Sequence, residues 1–363
     1  MSKDASESRL EALRGRIDEL DGQLIDLLNR RAEVVVEIGD LKRDQDFPIY
    51  APDREKQVLD AIRARNGGPL PDTCIEAIWR ELMSGSFALE RPLRVAYLGP
   101  PGTFSHMAAR RKFGACVAYE DLESIRAVFQ VVVSKEADMG LVPIENSSQG
   151  GIGETLDAFV EMSVHVCAEV LIGVHHNLLA RAPIDRIRRI YSKPEALSQC
   201  RAWLAANVPN AELVAAASTS RAAEMAAGET DTAAVGSELA AEIHGLEVRG
   251  RCIEDDSNNV TRFFVIAREG ARPTGDDKTA IMFTTAHEVG ALSRVLDVFR
   301  DGALNLTHID KRPSRVANWE YYFFVEFEGH ETDDSVVRAI EQARSHCLNL
   351  TVLGSFAKAR EVI

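Results

Sequence analysis

The chain contains 363 residues, 45% of them hydrophobic, and it carries a formal net charge of -14 at pH 7 with a pI near 5.2. This length favours two or three domains, and the acidity argues against nucleic acid or an anionic membrane as a partner. The sequence has no run of eighteen apolar residues, and its polar residues 1–9 hold no signal-peptide core, so we expect a cytoplasmic protein.

Cysteines and histidines show no metal-binding pattern. The six cysteines are scattered without ligand spacing and are expected to be reduced and mostly buried. His175 and His176 form the only histidine cluster, and no third ligand lies near them in the sequence. We therefore expect neither a metal nor an organic cofactor.

A long amphipathic helix is predicted over residues 9–42. Its apolar residues recur at spacings of three and four, which is typical of a helix that packs along another helix. This seam consists of Leu10, Leu13, Ile17, Leu20, Leu24, Leu27, Val34, Ile38 and Leu41. A helix of about 50 Å cannot bury such a stripe inside a small domain, so we expect an intertwined dimer.

Two cations interrupt this seam on one side of the helix. Arg31 stands where the pattern requires an apolar residue, and Lys42 follows after close to three turns. Their Cα atoms lie about 16 Å apart, which leaves room for one small anion between the side chains. Arg14, about 25 Å from Arg31, could reach that anion only from a second copy. The alternatives are a coiled coil with a register-setting charge, or cations that extend into solvent.

Two more helices are predicted, over residues 50–65 and 72–90, after a polar break at residues 43–47. Residues 8–90 resemble the all-helical chorismate mutase domain. The resemblance rests on Leu13, Arg14, Ile17, Asp21, Arg30, Arg31, Lys42 and the Pro-Asp-Arg-Glu turn at residues 52–55.

The resemblance implies a site built from both chains. Arginines would hold the two carboxylates of chorismate, and they correspond to the partner's Arg14, Arg31 and Arg54. Lys42 would face the ether oxygen and one carboxylate, Glu55 would take the ring hydroxyl, and Ser86 and Glu90 would line the same site. A pericyclic rearrangement needs only a folded conformer and positive charge at the breaking C–O bond, which such a site supplies.

Two positions depart from some relatives. Ala51 stands where some members carry an acid, and Glu90 stands where some carry Gln beside the ether oxygen. An ionised carboxylate there would repel the developing negative charge, so Glu90 would have to be protonated to donate a hydrogen bond. The alternative is a surface glutamate before the linker. We expect mutase activity to fall as the pH rises, and Glu90→Gln to flatten the profile.

Breaks in composition at residues 90–92 and 268–277 predict two linkers, which divide the chain into domains at residues 1–91, 92–270 and 277–363. The central part alternates apolar runs with helical patterns, which is typical of an α/β fold, and its length favours two lobes with a cleft. Strands are predicted at residues 94–98, 138–143, 164–172, 189–192, 211–215, 233–236 and 263–267. Helices are predicted at residues 106–113, 124–134, 196–207 and 221–227.

Polar motifs cluster where these strands end or begin. Residues 99–105 read Gly-Pro-Pro-Gly-Thr-Phe-Ser, residues 142–147 read Val-Pro-Ile-Glu-Asn-Ser, and residues 261–263 read Thr-Arg-Phe. Any one of these hydroxyl-rich turns could be a helix cap. Together they resemble prephenate dehydratase over the whole central domain, which implies a two-lobed fold like that of periplasmic binding proteins, with the site in the cleft.

By position in that resemblance, Thr261 is the leading catalytic residue. Glu145, Asn146, Ser192 and Gln199 would line the site, and Arg262 would help to hold it or its anionic ligand. Lys193 and Glu195 depart from the His and Gln of many relatives. Prephenate must lose carbon dioxide and its ring hydroxyl together, and a positioned threonine hydroxyl can stabilise the leaving oxygen as charge builds on it.

The last part of the chain predicts the order βαββαβ, which is the ferredoxin-like plan. Strands are predicted at residues 278–284, 306–311, 321–327 and 350–355, and helices at 290–299 and 335–345. No nucleophile or acid–base pair is evident, so a binding role is favoured.

Short motifs in this region resemble the ACT domain of the same enzyme family, which binds phenylalanine between paired domains. The matching residues are Gly290, Ala291, Leu292, Asn305, Leu306, Arg312 and Pro313. The family's Glu-Ser-Arg-Pro is Asp-Lys-Arg-Pro at residues 310–313, and this departure bears on the strength of feedback inhibition.

The sequence thus predicts a multidomain bifunctional enzyme with an all-α domain, a two-lobed α/β domain and an α+β ferredoxin-like domain. It would convert chorismate to prephenate and prephenate to phenylpyruvate, with L-phenylalanine as effector, as a homodimer or higher homo-oligomer. One alternative is an arogenate dehydratase. Another is a non-catalytic amino-acid sensor.

Overall fold

The structure, a computed structural model, describes residues 3–45, 50–313 and 321–362. The first domain is helical and consists of α1 (Lys3–Gln45), α2 (Pro52–Arg65) and α3 (Asp72–Glu90). The three predicted helices are confirmed, although α1 is longer than predicted. The break predicted at residues 43–47 begins inside α1, and residues 46–49 lie outside the described part of the chain.

The seam of α1 is left exposed by the other elements that the structure describes. Its nine apolar residues have exposed fractions between 42% for Ile38 and 63% for Leu41. Helix α3 packs against α1 near Gly39, where a Cβ atom would lie 3.1 Å from Glu90. This close approach brings the last turns of α1 and α3 side by side.

The central domain contains two mixed sheets. In chain order its elements are β1 (Arg94–Leu98), α4 (Phe104–Phe113), β2 (Ala118–Leu122), α5 (Ile125–Val133), β3 (Met139–Asn146), β4 (Gly150–Gly151), α6 (Gly153–Glu161), β5 (His165–Gly173), β6 (Asn177–Ala180), a 3-10 turn (Ile184–Arg186), β7 (Arg189–Ser192), α7 (Pro194–Gln199), α8 (Arg201–Asn207), β8 (Glu212–Ala215), α9 (Thr219–Gly228), β9 (Thr232–Gly236), α10 (Glu238–His244), β10 (Glu247–Gly250) and β11 (Val260–Ala267).

The two sheets form two lobes. The first sheet has the order β2-β1-β3-β11-β5 with β4 paired to β3, and the second has the order β10-β6-β9-β7-β8. The chain passes to the second lobe after β5 and returns before β11. The two-lobed α/β prediction is confirmed.

The lobes meet at the turn after β1. The Ser237 hydroxyl donates to the Gly102 carbonyl oxygen at 2.7 Å, and the Ser220 hydroxyl donates to the carbonyl of Pro101. Gly102 has φ +89, and a Cβ atom there would lie 2.8 Å from Ser220 Oγ and 3.1 Å from Ala240 Cα. Glycine is therefore required where this turn fits between two elements of the second lobe.

The C-terminal domain is a four-stranded antiparallel sheet with two helices. Its elements are β12 (Asp277–Thr284), α11 (Ala291–Asp301), β13 (Leu306–Pro313), β14 (Tyr321–Glu328), α12 (Asp334–Arg344) and β15 (Asn349–Ala357). The strand order β13-β14-β12-β15 is the one that the predicted βαββαβ plan requires.

This sheet shares a hydrophobic core with the first lobe. Met282, Phe324 and Phe356 of the C-terminal domain belong to the same buried cluster as Val166 and Phe264 of the first lobe. Gly354 has φ +136, and a Cβ atom there would collide with the backbone of Val166. The two sheets therefore approach each other to backbone contact.

Some elements differ from the sequence prediction. The helix predicted at residues 196–207 is divided into α7 and α8 at Cys200, whose φ of -109 and ψ of 13 are not helical. Strands β2, β4, β6 and β10 and helices α6 and α10 were not predicted. In the described part of the chain, no helix has the length and apolar character needed to cross a bilayer.

Candidate active sites

A chain of hydrogen-bonded side chains lies between the two lobes. Asn146 ends β3 and is the cross-strand partner of Thr261 in β11. Asn146 Nδ2 donates to the Thr261 hydroxyl and to Asn259 Oδ1, both at 2.8 Å. Its Oδ1 accepts from the backbone amides of Ser148 and Gln149 at 3.0 and 3.1 Å. These two amides fix which end of the Asn146 side chain faces Thr261.

This arrangement makes Thr261 a hydrogen-bond donor. Both N–H bonds of Asn146 are used, one on Thr261 and one on Asn259, so the Thr261 oxygen is an acceptor in that contact. Within residues 3–45, 50–313 and 321–362, Thr261 Oγ1 has no second hydrogen-bond partner. Its proton is therefore available for a hydrogen bond to a ligand. Because Thr261 is only 9% exposed, that hydrogen bond is stronger than it would be in water.

The chain continues through Gln199 to His176. Gln199 Oε1 accepts from Asn259 Nδ2 at 3.3 Å and lies 2.9 Å from His176 Nε2. Because an amide oxygen can only accept, His176 must carry its proton on Nε2. Burial lowers the pKa of His176, and the hydrogen bond to Gln199 opposes this only in part, so the ring is neutral at neutral pH. Phe104, from the other lobe, packs edge-on against this ring.

The sequence prediction missed Asn259 and His176 as parts of this network. Asn259 lies two residues before Thr261, and alternate residues of an extended chain point to the same side, so its position was a usable signal. His176 offered no such signal, because its contact with Gln199 depends on how the chain crosses between the lobes.

Two other predicted cleft residues have different surroundings. Ser192 is fully buried, and its hydroxyl donates to the Val235 carbonyl oxygen of β9 at 2.7 Å. The structure therefore does not present this hydroxyl to the cleft. Glu145 is partly exposed, and its Oε2 lies 3.4 Å from Arg262 Nε and 3.6 Å from His308 Nδ1.

Arg262 faces the C-terminal domain. Its guanidinium makes two hydrogen bonds of 2.6 Å to Glu326 of β14, and Glu169 lies 3.4 Å away. Burial lowers the pKa of Arg262, but the hydrogen bonds and charge of Glu326 outweigh it and hold the pKa above its ordinary value. With its charge matched by carboxylates of the protein, Arg262 is placed to hold the site rather than a ligand.

In the helical domain, four predicted residues come together between α1 and α3. Arg31 donates to the Ser86 hydroxyl at 2.8 Å, and Ser86 donates to the Leu82 carbonyl oxygen at 2.7 Å. Lys42 Nζ lies 2.8 Å from Glu90 Oε2. The groove between the two helices thus contains both seam cations, each beside an oxygen atom of α3.

The remaining predicted mutase residues lie apart from this groove. Arg14 is exposed on α1, and Arg54 is exposed on α2 with its guanidinium 3.4 Å from Gln57 Oε1. Glu55 accepts from Tyr50 and from Lys112 of the central domain, both at 2.7 Å. Burial and the nearby Glu55 hold the pKa of Tyr50 well above its ordinary value, so its phenol stays protonated as a donor.

The predicted effector residues lie at the start of α11 and at both ends of β13. Gly290 precedes α11 in a left-handed conformation with φ +78, followed by Ala291 and Leu292. Leu306 begins β13 and Pro313 ends it, so the two are about 23 Å apart. Residues 305–306 and residues 312–313 of one chain therefore cannot contact the same small molecule.

One cluster has the composition of a metal site. His175, Cys252 and Glu254 each place a ligand atom within 4.8 Å of the others. Glu254 already accepts from the His176 amide and lies 2.8 Å from His175 Nδ1. Hydrogen bonds within the protein account for the placement of His175 and Glu254.

Comparison with known proteins covers both sites. The family model for chorismate mutase type II matches residues 13–91, and the model for prephenate dehydratase matches residues 95–271. A bifunctional chorismate mutase/prephenate dehydratase of Aquifex aeolicus is 40% identical over 355 residues, covering 96% of this chain and 98% of the relative. One of Stutzerimonas stutzeri is 41% identical, covering 97% and 98%.

A solved prephenate dehydratase structure agrees with a large part of this fold. The prephenate dehydratase of Arthrobacter aurescens, in complex with L-Phe, has a TM-score of 0.69 and 33% identity, covering 74% of this chain and 90% of that one. Near-complete coverage by bifunctional relatives at about 40% identity, together with the two family matches, places the chain in the bifunctional chorismate mutase/prephenate dehydratase family.

Proposed function

We propose that this chain rearranges chorismate to prephenate in its helical domain and converts prephenate to phenylpyruvate in the cleft of its central domain. The observation that carries the second activity is the directed network from Asn146 to Thr261, which leaves a nearly buried hydroxyl proton free to donate. No cofactor is needed for either step, because both conversions are redox-neutral overall and require no external oxidant or reductant.

In the proposed dehydration, Thr261 donates a hydrogen bond to the ring hydroxyl of prephenate as it leaves. The carboxylate on the same ring departs as carbon dioxide, and its bonding electrons complete the aromatic ring. Asn146 holds the Thr261 oxygen, and Asn259 and Gln199 keep the neutral His176 in place. A preorganised donor of this kind acts on charge that develops only in the transition state.

In the proposed mutase reaction, Arg31 and Lys42 bind the dianion in the groove beside Ser86 and Glu90, with the partner's Arg14 completing the site. The exposed seam of α1 supports a homodimer, because a second copy of the same helix would cover it. Glu55 is bonded to Lys112, so we propose that substrate binding releases this contact and reorients the start of α2, which brings Arg54 and Glu55 to the substrate.

We further propose that the C-terminal domain is an ACT domain that binds L-phenylalanine. Gly290, Ala291, Leu292, Asn305, Leu306, Arg312 and Pro313 are the proposed effector residues. Because β13 separates two of these groups by about 23 Å, one phenylalanine would contact residues from two paired C-terminal domains. This again requires a homodimer or a higher oligomer, which we place in the cytoplasm.

One coupled assay tests the proposal. Chorismate is supplied to the full chain, and prephenate and phenylpyruvate are measured with and without L-phenylalanine. Lys42→Met should remove the first step and Thr261→Ala the second, so each variant is the control for the other. Survival of chorismate, or turnover of arogenate in preference to prephenate, would contradict the assignment.

A further inference from the structure

A cluster of charges, most of them buried, joins the catalytic strand to the C-terminal domain. It contains two cations, Arg262 and Lys278, and three carboxylates, Glu145, Glu169 and Glu326. Arg262, Glu169 and Glu326 are exposed by 9%, 6% and 4%. Charges this deeply buried require partners with good geometry, so the position of each one depends on the others.

Arg262 is adjacent to the proposed catalytic threonine in both sequence and sheet. In the pairing of β11 with β3, Thr261 lies opposite Asn146 and Arg262 lies opposite Glu145, and the register shifts immediately after Arg262. A displacement of Arg262 would therefore move the neighbouring Thr261–Asn146 pair. That pair directs the hydroxyl proton, so its geometry matters for the reaction.

Two carboxylates compete for the Arg262 guanidinium. Glu326 receives two hydrogen bonds of 2.6 Å, whereas Glu145 Oε2 lies 3.4 Å from the Nε atom without forming a hydrogen bond. The Nε atom is buried and has no hydrogen-bond partner among the residues that the structure describes. Without the charge of Glu326, Arg262 would be drawn toward Glu145, which precedes Asn146 on β3.

Glu169 does not fulfil the role of Glu326. Its two oxygens lie 3.0 and 3.1 Å from Lys278 Nζ, and one of them also accepts from the Ala359 amide at 2.8 Å. Its contact with Arg262 is longer, at 3.4 Å. Glu169 is thus held mainly by the C-terminal domain, and Glu326 is the two-point anchor of Arg262.

We propose that Glu326, a residue of the C-terminal domain, is a positioning residue of the dehydratase. It holds Arg262 away from Glu145 and thereby keeps Thr261 and Asn146 in register in the cleft. This inference rests on the proposed catalytic role of Thr261. It means that the dehydratase site includes a contribution from the domain proposed to sense the effector.

The test is Glu326→Gln in the full chain, which removes the charge and keeps the shape. Dehydratase kcat should fall by about tenfold to a hundredfold, while KM for prephenate changes by no more than about threefold, because the positioned hydroxyl acts mainly in the transition state. Each preparation is normalised to its own mutase activity, so that a change in the folded fraction cancels. Glu326→Ala is the second variant, should the amide prevent folding.

Asp157→Asn is the matched control. Asp157 also makes a two-point bond across the domain boundary, to Arg312 at 2.9 and 2.8 Å, but it lies on α6 and not beside β11. Its dehydratase kcat should remain within about twofold of the parent. Glu326→Asp, which retains the charge, should recover much of the kcat that Glu326→Gln loses.

Three results would overturn the proposal. They are an unchanged kcat in Glu326→Gln, a rise in KM at constant kcat, or an equal loss in Asp157→Asn. Thr261→Ala, measured in parallel, distinguishes a failure of the Glu326 proposal from a failure of the proposed catalytic role of Thr261. If Thr261→Ala retains its turnover, the catalytic assignment of Thr261 fails, whatever Glu326 does.

Discussion

Replacing Thr261 by alanine should nearly abolish dehydration while leaving the protein folded. The change removes one hydrogen bond of 2.8 Å and leaves one partly buried N–H of Asn146 without that partner, which costs about 1–3 kcal/mol of unfolding free energy. A domain with an ordinary stability of about 5–15 kcal/mol tolerates that loss. The other N–H of Asn146 still bonds Asn259, so the network is weakened and not dismantled.

The effect on turnover should be much larger. Loss of a single preorganised donor at a developing oxyanion lowers kcat by about 100-fold to 1000-fold, or about 3–4 kcal/mol of activation free energy. Phenylpyruvate formation from prephenate measures this step, and the mutase rate of the same sample reports the folded fraction. Thr261→Ser, which keeps the hydroxyl, is the conservative control and should retain most of the activity.

Two results would refute this reasoning. Near-normal dehydration by Thr261→Ala would show that the hydroxyl does not assist the leaving group. A parallel loss of mutase activity would show that the substitution acts on folding.

Three further predictions concern other parts of the chain. Glu90→Gln should raise the mutase rate, because it removes a carboxylate charge 2.8 Å from Lys42; an unchanged rate would remove Glu90 from the site. Leu20→Glu should break a dimer built on the α1 seam, lowering both the mass in light scattering and the mutase rate, whereas in a monomer the 56% exposed side chain would tolerate the charge. Burial lowers the pKa of His176 from 6.5, so its contribution to stability is complete above pH 6.5 and is lost as the pH falls towards the lowered pKa. Urea unfolding between pH 5 and pH 7 should therefore show a steeper acid loss in the parent than in His176→Gln, and equal slopes would contradict the burial argument.

The local sequence pattern was sufficient to predict those helices and strands whose apolar residues recur with a clear period. The apolar stripe of α1 and the apolar runs of β1, β3 and β11 can be recognised in the sequence, because burial on one or both faces requires apolar residues at regular positions. Strand β2 lacks one, since it lies at the edge of its sheet and carries Glu120 and Asp121 on a largely exposed surface. Helix α6 begins with a glycine and has no hydroxyl cap, so its start gave no signal.

The site could be predicted in part. Asn146 and Thr261 stand in short motifs, and cross-strand pairing brings them together as the motifs suggest. Ser192 follows the same pattern, yet its hydroxyl is committed to a carbonyl inside the second lobe. Glu326 could not be found from sequence, because a glutamate at a core position of an alternating strand has meaning only once Arg262 is seen beside it.

The common core of the first lobe and the C-terminal sheet limits how this molecule can move. With Phe324 and Phe356 packed beside Phe264, those two layers share one core, and sliding one over the other would open a cavity in it. Among the described residues, no buried hydrophobic cluster spans the two lobes of the central domain, which meet through hydrogen bonds to the carbonyl oxygens of Pro101 and Gly102. A movement between those lobes would therefore disturb fewer packed apolar side chains than a movement of the C-terminal sheet.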